Sequence, residues 1–407
     1  MWDKVQQGRI LTRRDRLGDC AVGNGQVRSF RVWPHVSLAA FRDPAYVREQ
    51  VPDDFKFVAQ CRRRIGHWRT QVQGNTQRFI FASALGLLLF TNRSAAQSFN
   101  FNAIDVPCSA TPPTSCPTGI ARQTVANGIN PAGDIVGVFT DGVGKQHGFL
   151  LSRGQFTTID VPGAVSTSAN GISPSGEVVG NYTAPYTHGF SDAASVDSPA
   201  YCPAADSPAC IKGFLYRHGK FSTVLFPGHP GAVPQRITPD GDMYGCLHDF
   251  DLMNSMFGAA WRHSGDISLT AYGGELSDPS QSMPSSMNNG ATPGGHMIVG
   301  FWDDMDGHRH GLLVQDGVLQ SYDVPGSILT AIWDINPNQQ FAGTYIDNTG
   351  HRHGFLQLPD GSAPIIVDYP GSAATLTFGI NPEGAVVGRY AASGHVHGFV
   401  AVPVTSN

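Results

Sequence analysis

The chain holds no Gly-x-Ser-x-Gly elbow, no His-Glu-x-x-His pair, no phosphate-binding glycine loop and no cofactor-attachment motif. Those gaps remove the local signatures of serine hydrolases, zinc peptidases and nucleotide enzymes, so no cofactor is expected. They do not exclude a site whose groups come from separate repeats. Charge is scarce too, with Asp, Glu, Lys and Arg making up 14 % of the residues. Over residues 97–407 there are only 11 Lys and Arg against 25 Asp and Glu. So acidic a body argues against nucleic acid, whose phosphates need cations to displace their counterions. Long apolar runs are missing except at residues 79–90 (FIFASALGLLLF). As helix that run spans about 18 Å, well short of the roughly 30 Å of a membrane crossing.

What the chain has in abundance is Gly (48) and Pro (28), placed in a sentence repeated six times. The plainest copy reads Ala126-Asn-Gly-Ile-Asn130-Pro-Ala-Gly-Asp-Ile135-Val-Gly-Val-Phe139, then His147-Gly-Phe-Leu150, then Phe156-Thr-Thr-Ile-Asp160-Val-Pro-Gly163. Its turn proline recurs as Pro131, Pro174, Pro239, Pro293, Pro337 and Pro382, a period of 43 to 45 residues outside two expanded units. A repeat of that length with only strand patterns is an array of small sheets that cannot be stable singly.

Each unit reads as four strands. A short first strand ends in Asn130-Pro-Ala-Gly133 or its equivalent, where a capping side chain, a preset φ and a residue free to take positive φ make a tight turn. Gln339 breaks the Gly rule at the fourth turn position, which predicts strain or another turn type there. The second strand has a central Gly in every copy (Gly137, Gly180, Gly245, Gly300, Gly343, Gly388), expected from close packing of one sheet on the next. His-Gly-Phe marks the third strand, and Phe-x-x-Ile-Asp-Val the fourth. The sixth unit lacks its fourth strand, while Phe99-Asn-Phe-Asn-Ala-Ile-Asp105-Val-Pro107 supplies one at the other end. The expected fold is therefore all-β: a six-bladed β-propeller of four-stranded blades, its ring closed by an N-terminal strand that completes the last blade.

The Gly-Ile-Asn-Pro-x-Gly, Val-Val-Gly-x-aromatic, His-Gly-Phe-Leu and Phe-x-x-Ile-Asp-Val-Pro-Gly segments resemble the HAF-family probable extracellular repeat of bacteria. The likeness covers roughly residues 98–402 apart from the two expanded units. The family's name motif is His-Ala-Phe; here its middle residue is Gly, and Met256-Phe-Gly-Ala-Ala-Trp261 has lost the His. The resemblance implies secretion and a repeat ring, with no established activity.

Ahead of the repeats, residues 1–76 are basic and free of repeat motifs, with 14 Lys and Arg against 7 Asp and Glu. They read as a non-domain N-terminal extension from a start called too early. Residues 77–96 read as a signal peptide: Arg78, the apolar run, then small Ser94 and Ala96 before a cut at Gln97. A single-pass anchor is the rival reading. Export places residues 97–407, the propeller, outside the cell or in the periplasm, as a monomer.

Five cysteines follow the signal. Cys108, Cys116, Cys202 and Cys210 form two Cys-x7-Cys segments, expected to close two local disulfide loops in an oxidising compartment, while Cys246 reads as a buried free thiol. Propeller topology brings second-to-third and fourth-to-first connections to one face, and both stapled loops fall there. So do Asp141, Asp249, Asp251, Asp303, Asp304, Asp306 and Asp347, with Trp302 beside them. These are the candidate binding residues. The spaced acids of Trp302-Asp-Asp-Met-Asp-Gly307 are also ligands of the kind Ca²⁺ takes. His147, His310, His353 and His397 share one strand position. Being spread around the ring, they read as structural groups bonded within their own blades. Two functions remain: a secreted module binding polysaccharide or a surface partner, and an extracellular hydrolase or lyase using Asp or His from that face. An aromatic, hydrogen-bonding tunnel mouth favours the first; converging carboxylates or histidines favour the second.

Overall fold

A computed structural model describes residues 98–107, 119–186, 198–199, 202, 207–248, 256–269, 285–304 and 306–404, all within the compact unit Phe90–Asn407. The extension at 1–76, the signal at 77–96, and Cys108, Cys116, Asp249 and Asp251 lie outside the described residues. No described helix is long and apolar enough to cross a membrane.

The fold is all-β, made of four-stranded antiparallel meanders in a propeller arrangement. After β1 (Phe99–Ile104), the first unit contributes β2 (Gln123–Ile129), β3 (Ile135–Thr140), β4 (Gln146–Ser152) and β5 (Gln155–Ile159). The second has β6 (Ser166–Ile172), β7 (Val178–Thr183), β8 (Ile211–Arg217) and β9 (Lys220–Val224). The third has β10 (Gly231–Ile237), β11 (Met243–His248), β12 (Met256–Trp261) and β13 (Ile267–Leu269). The fourth has β14 (Ser285–Ala291), β15 (Met297–Asp303), β16 (Arg309–Gln315) and β17 (Val318–Tyr322). The fifth has β18 (Ser327–Ile335), β19 (Phe341–Asp347), β20 (Arg352–Gln357) and β21 (Ile365–Ile366), and the sixth has β22 (Ala374–Ile380), β23 (Val386–Ala392) and β24 (His395–Pro403). Thus Lys212-Gly-Phe-Leu215, in β8, is the third strand of the second unit.

Four units are separate four-stranded sheets; the rest form one eight-stranded sheet. Two meanders make up the larger sheet, joined by a parallel pairing of Gln123 with Val396. One of them ends in β1, antiparallel to β24 from Phe99 opposite Pro403 to Ile104 opposite Gly398.

Every sheet is apolar on both faces because each is packed between two others. Alternate residues of β3 show this: Ile135 and Phe139 join Ile104 and Val387 on one side, while Val136 joins Ile159, Ala169 and Phe214 on the other. Equivalent clusters lie between each later pair of sheets. Burying an aromatic such as Phe149 or Phe355, each fully enclosed, contributes roughly 1.5–3 kcal/mol.

The central glycine of the second strand has a cause different from the expected one. A Cβ on Gly137 would sit 2.0 Å from the Val125 carbonyl oxygen and 2.7 Å from the Phe149 ring, both within its own sheet. Gly180, Gly343 and Gly388 meet the same two obstacles. Sheet-on-sheet approach shows instead at the Gly after the third-strand histidine or its equivalent, where a Cβ on Gly354 would lie 2.6 Å from the Thr377 side chain and one on Gly213 2.7 Å from the Pro234 ring. In every unit the first strand bulges at the residue before its own glycine or that residue's equivalent: the register slips between Ala126 and Gly128, and likewise in β6, β10, β14, β18 and β22.

Candidate functional site

On the face expected to bind, a single arrangement repeats. Asp141, Asp304 and Asp347 open the turns between second and third strands. Each aims Oδ1 at its own loop, accepting backbone N–H bonds from Val143 (3.0 Å) and Lys145 (2.8 Å), Asp306 (2.9 Å) and His308 (2.8 Å), or Thr349 and His351 (both 2.9 Å). Each Oδ2 reaches Nε2 of the third-strand histidine: 3.3 Å to His147, 3.5 Å to His310 and 3.4 Å to His353. Nδ1 of those rings meets a second carboxylate after the fourth strand, Asp160 at 2.7 Å, Asp323 at 2.9 Å and Asp368 at 2.7 Å. His397 reaches Asp105 at 2.9 Å, across from the other end of the described chain. An aromatic from the facing residue of the second strand stacks on each ring: Phe139, Trp302, Tyr345 and Tyr390, with centroids 4.7 to 5.1 Å apart.

His147, His310 and His353 therefore each clamp two loops together under an aromatic lid, while His397 holds Asp105 alone. Burial opposes the Asp141 and Asp304 charges, yet loop N–H groups and the histidines outweigh it and hold both pKa values below the ordinary carboxylate value. At Asp347 the Thr349 hydroxyl leads in the same direction. Burial works against a charged His353, but Asp368 and then Asp347 overcome it and raise its pKa.

Two sequence expectations change. Trp302 and Asp303 belong to β15, not to the loop. Trp302 is 1 % exposed against His310, so it is closed to a ligand because its ring is the lid of a clamp. Asp303 pairs with Arg309 at 2.8 and 3.1 Å. Asp306 is exposed, and with Asp304 and His308 it places two carboxylates and an imidazole within 4.8 Å of one another. An imidazole in that set suits a transition metal better than Ca²⁺.

Two units lack the histidine. In the second, Lys212 faces Tyr182, is fully buried and donates to the Pro230 carbonyl at 2.6 Å; burial pushes its pKa down to about 8. Phe257 takes the place in the third, opposite Leu247. A Cys202–Cys210 disulfide staples the insertion leading into β8. Cys246 is a free, buried thiol, 3.1 Å from His248 Nε2, and burial raises its pKa, which favours the protonated form.

The axis carries what local motifs could not show. Gly128, Gly171, Gly290 and Gly379 share one repeat position, where neighbouring first strands approach closely: a Cβ on Gly128 would lie 3.2 Å from the Gly171 Cα. Its equivalents in the third and fifth units are Arg236 and Asp334, which pair at 3.0 Å. Arg236 also donates to the carbonyls of Asn127 (2.9 Å), Asn170 (2.7 Å), Gln235 (2.7 Å) and Phe378 (2.5 Å), tying four first strands to its guanidinium. Burial pushes the Asp334 pKa up, against the pull of Arg236 and of the Ile380 and Ile335 N–H groups. Replacement of a repeated glycine by opposite charges was the readable signal.

This pair divides the axis. Beyond it, on the turn side, is a cavity of about 100 Å³ ringed by Pro131, Pro174, Pro239, Pro293, Pro337 and Pro382. On the loop side is a mouth of about 300 Å³ lined by Trp333, Phe378, Arg389, Thr140, Ser168 and the amides of Gln123, Asn127, Gln146, Asn170 and Gln235. Among the described residues, no Asp, Glu or His lines the mouth. Asn127 and Asn170 are already oriented, donating to Ala169 O (2.9 Å) and Pro234 O (3.0 Å) of the next unit. Trp333 packs edge-on to Phe378 at 5.3 Å.

No protein-family model matches the chain, and no curated protein matches it. Among solved structures it is similar to TolB from Acinetobacter baumannii, at 11 % identity and TM-score 0.43 over 67 % of this chain, spanning 64 % of TolB. A gluconolactonase from Xanthomonas campestris gives 10 % and 0.41, covering 74 % of this chain and 98 % of that one. A mutant Aleuria aurantia lectin in complex with Fucα1-6GlcNAc gives 11 % and 0.42, covering 70 % and 95 %. Likenesses at these TM-scores carry no argument about activity.

Proposed function

We propose that the protein is an exported, extracellular or periplasmic binding module of the HAF-repeat type, a six-bladed propeller that takes polysaccharide at the loop-side mouth of its axis. Supporting the ring, the first strands touch in a closed order from β2 through β6, β10, β14, β18 and β22 back to β2, and β1 lies as fourth strand beside β24. The observation that carries the binding reading is the chemistry of the mouth: aromatic rings beside neutral amides and one further guanidinium, with no carboxylate or imidazole among the described residues. Rings stack on sugar faces, amides give and accept hydrogen bonds, and Arg389 meets ring oxygens or a carboxylate. On the surrounding face the histidines and their aspartates are engaged with one another and with loop N–H groups, so they hold the rim in place.

The test is retention of the purified, disulfide-intact protein on plant, fungal and bacterial polysaccharides, with released sugars measured alongside. Retention without release that is lost in Arg389→Gln and Gln123→Ala is the expected result. Release of product would overturn the reading, and retention unchanged in both variants would move the site away from the mouth. The same assay with added Ca²⁺ or EDTA tests the cluster at Asp304, Asp306 and His308.

A further inference from the structure

We infer that the groove between the fourth and fifth units is a second binding site, independent of the axial mouth, for a neutral oligosaccharide. Three departures from the repeat converge there. In the first, second and fourth units a two-residue turn joins third to fourth strand: Arg153-Gly154, His218-Gly219 and Asp316-Gly317. The fifth unit instead has a seven-residue loop, 358–364, followed by a fourth strand of two residues where β5, β9 and β17 have five. Lastly, the first-to-second turn of the fifth unit keeps its hydrogen bond, Gln339 N–H to Asn336 O at 2.9 Å, but places Gln339 at φ 61° where Gly133, Gly176, Gly241 and Gly384 stand at 80° to 86°. Arg153, His218 and Ser393 are also left-handed, each directly before a Gly in a tight turn, whereas Gln339 stands where the equivalent turns have Gly. The loop and Gln339 line one groove of about 530 Å³, larger than the axial mouth, and the shortened strand follows directly on the loop.

The loop is held in position. Gln357 accepts from the Tyr322 hydroxyl of the fourth unit at 2.7 Å and donates to Leu358 O and Ser362 O at 2.9 and 2.8 Å. It therefore fixes one wall of the groove to the other, and the site is pre-organised. What remains for a ligand is three exposed amides, Gln315, Gln320 and Gln339. Beside them stand the Tyr322 and Phe341 rings, packed edge to face at 5.0 Å. Each amide offers both donor and acceptor, the pairing a hydroxyl needs. Asp323 is the one charged residue of the lining, and its carboxylate is engaged by His310. With no cation in the groove, acidic sugars have no counter-charge there, so the ligand class is neutral.

The test titrates cello-, xylo-, manno- and chito-oligosaccharides of four to six units into the full protein, followed by saturation-transfer NMR and calorimetry. At least one series is expected to bind wild type and Arg389→Gln alike. Gln320→Ala/Gln339→Gly is expected to lose about tenfold in affinity, the worth of one or two amide hydrogen bonds. Its melting temperature should hold or rise, because Gly relieves the left-handed strain, so weaker binding cannot be blamed on unfolding. The inference falls if no neutral series binds, if the double variant binds as wild type does, or if Arg389→Gln abolishes binding and so places the ligand at the axis. Capture of a proline-rich peptide in the groove in place of any sugar would overturn it too.

Discussion

Rim and axis use the same repeat in opposite ways. At the rim, four units build one clamp from the same parts: histidine, carboxylate and stacked aromatic. At the axis, one position is glycine in four units and a buried charge in the two others. Where the repeat is faithful, its polar residues satisfy one another and little is left over for a ligand. Departures from it, at Arg236 and Asp334, at Trp333 and Phe378, and at Gln339, are where groups become available or the channel changes shape. A repeat protein thus separates scaffold from specialisation by sequence fidelity alone.

The contrast breaks first at the axis. Arg236→Met leaves Asp334 buried without its cation and is expected to cost about 3–5 kcal/mol in urea unfolding. Arg236→Gly/Asp334→Gly restores the glycine of the other units and is expected to recover most of that loss. If the double variant stays as unstable as the single, the charges serve the scaffold after all. At the rim, His147→Phe copies the residue of the third unit but strands Asp141 and Asp160, and about 2 kcal/mol should be lost.

A smaller effect separates the two cations that share the clamp position. The folded pKa of His353 is raised, so its contribution is complete below the unfolded value near 6.5 and is lost as pH climbs through the higher folded value. Lys212 has a lowered folded pKa of about 8, so the unfolded chain binds more protons and stability rises from pH 8 to roughly 10.4. Stability curves of His353→Gln and Lys212→Met should flatten on opposite slopes, and a shared slope would contradict the assignment. The smallest effect is Gln339→Gly. Relief of about 1–2 kcal/mol of left-handed strain, less roughly 0.5–1 kcal/mol of glycine entropy, should leave a gain of about 0.5–1 kcal/mol by thermal melting.

Strand order and turns were legible because each rests on residues a few places apart: the short apolar run of β3, Pro and Gly fixing the turns, and Gln339 standing where Gly should. The histidines were read as bonded within their units, and that is where their partners lie. No local spacing joined Asp160, Asp323 and Asp368 to those histidines, because only folding brings the end of the fourth strand over the start of the third. Trp302 looked available because loop and strand end are indistinguishable in Trp-Asp-Asp. Arg236 and Asp334 showed in the sequence only as two departures from a repeated glycine, since no local rule joins equivalent positions of the third and fifth units into a pair. Packing across the sheet explains Gly137, where the Phe149 ring and the Val125 carbonyl leave no room.

The pairing of β1 with β24 has a consequence in time. Asp105 and His397 are 292 residues apart; at 5–20 residues per second, a ribosome needs roughly 15–60 s to make the second after the first. Throughout that interval the earliest strand has a free edge and no partner, while the sheets between can each zip up locally. The sixth unit is therefore the last to be completed. Until then the edge of β1 is open to other strands, and whatever shields it governs how much of the protein reaches the folded state.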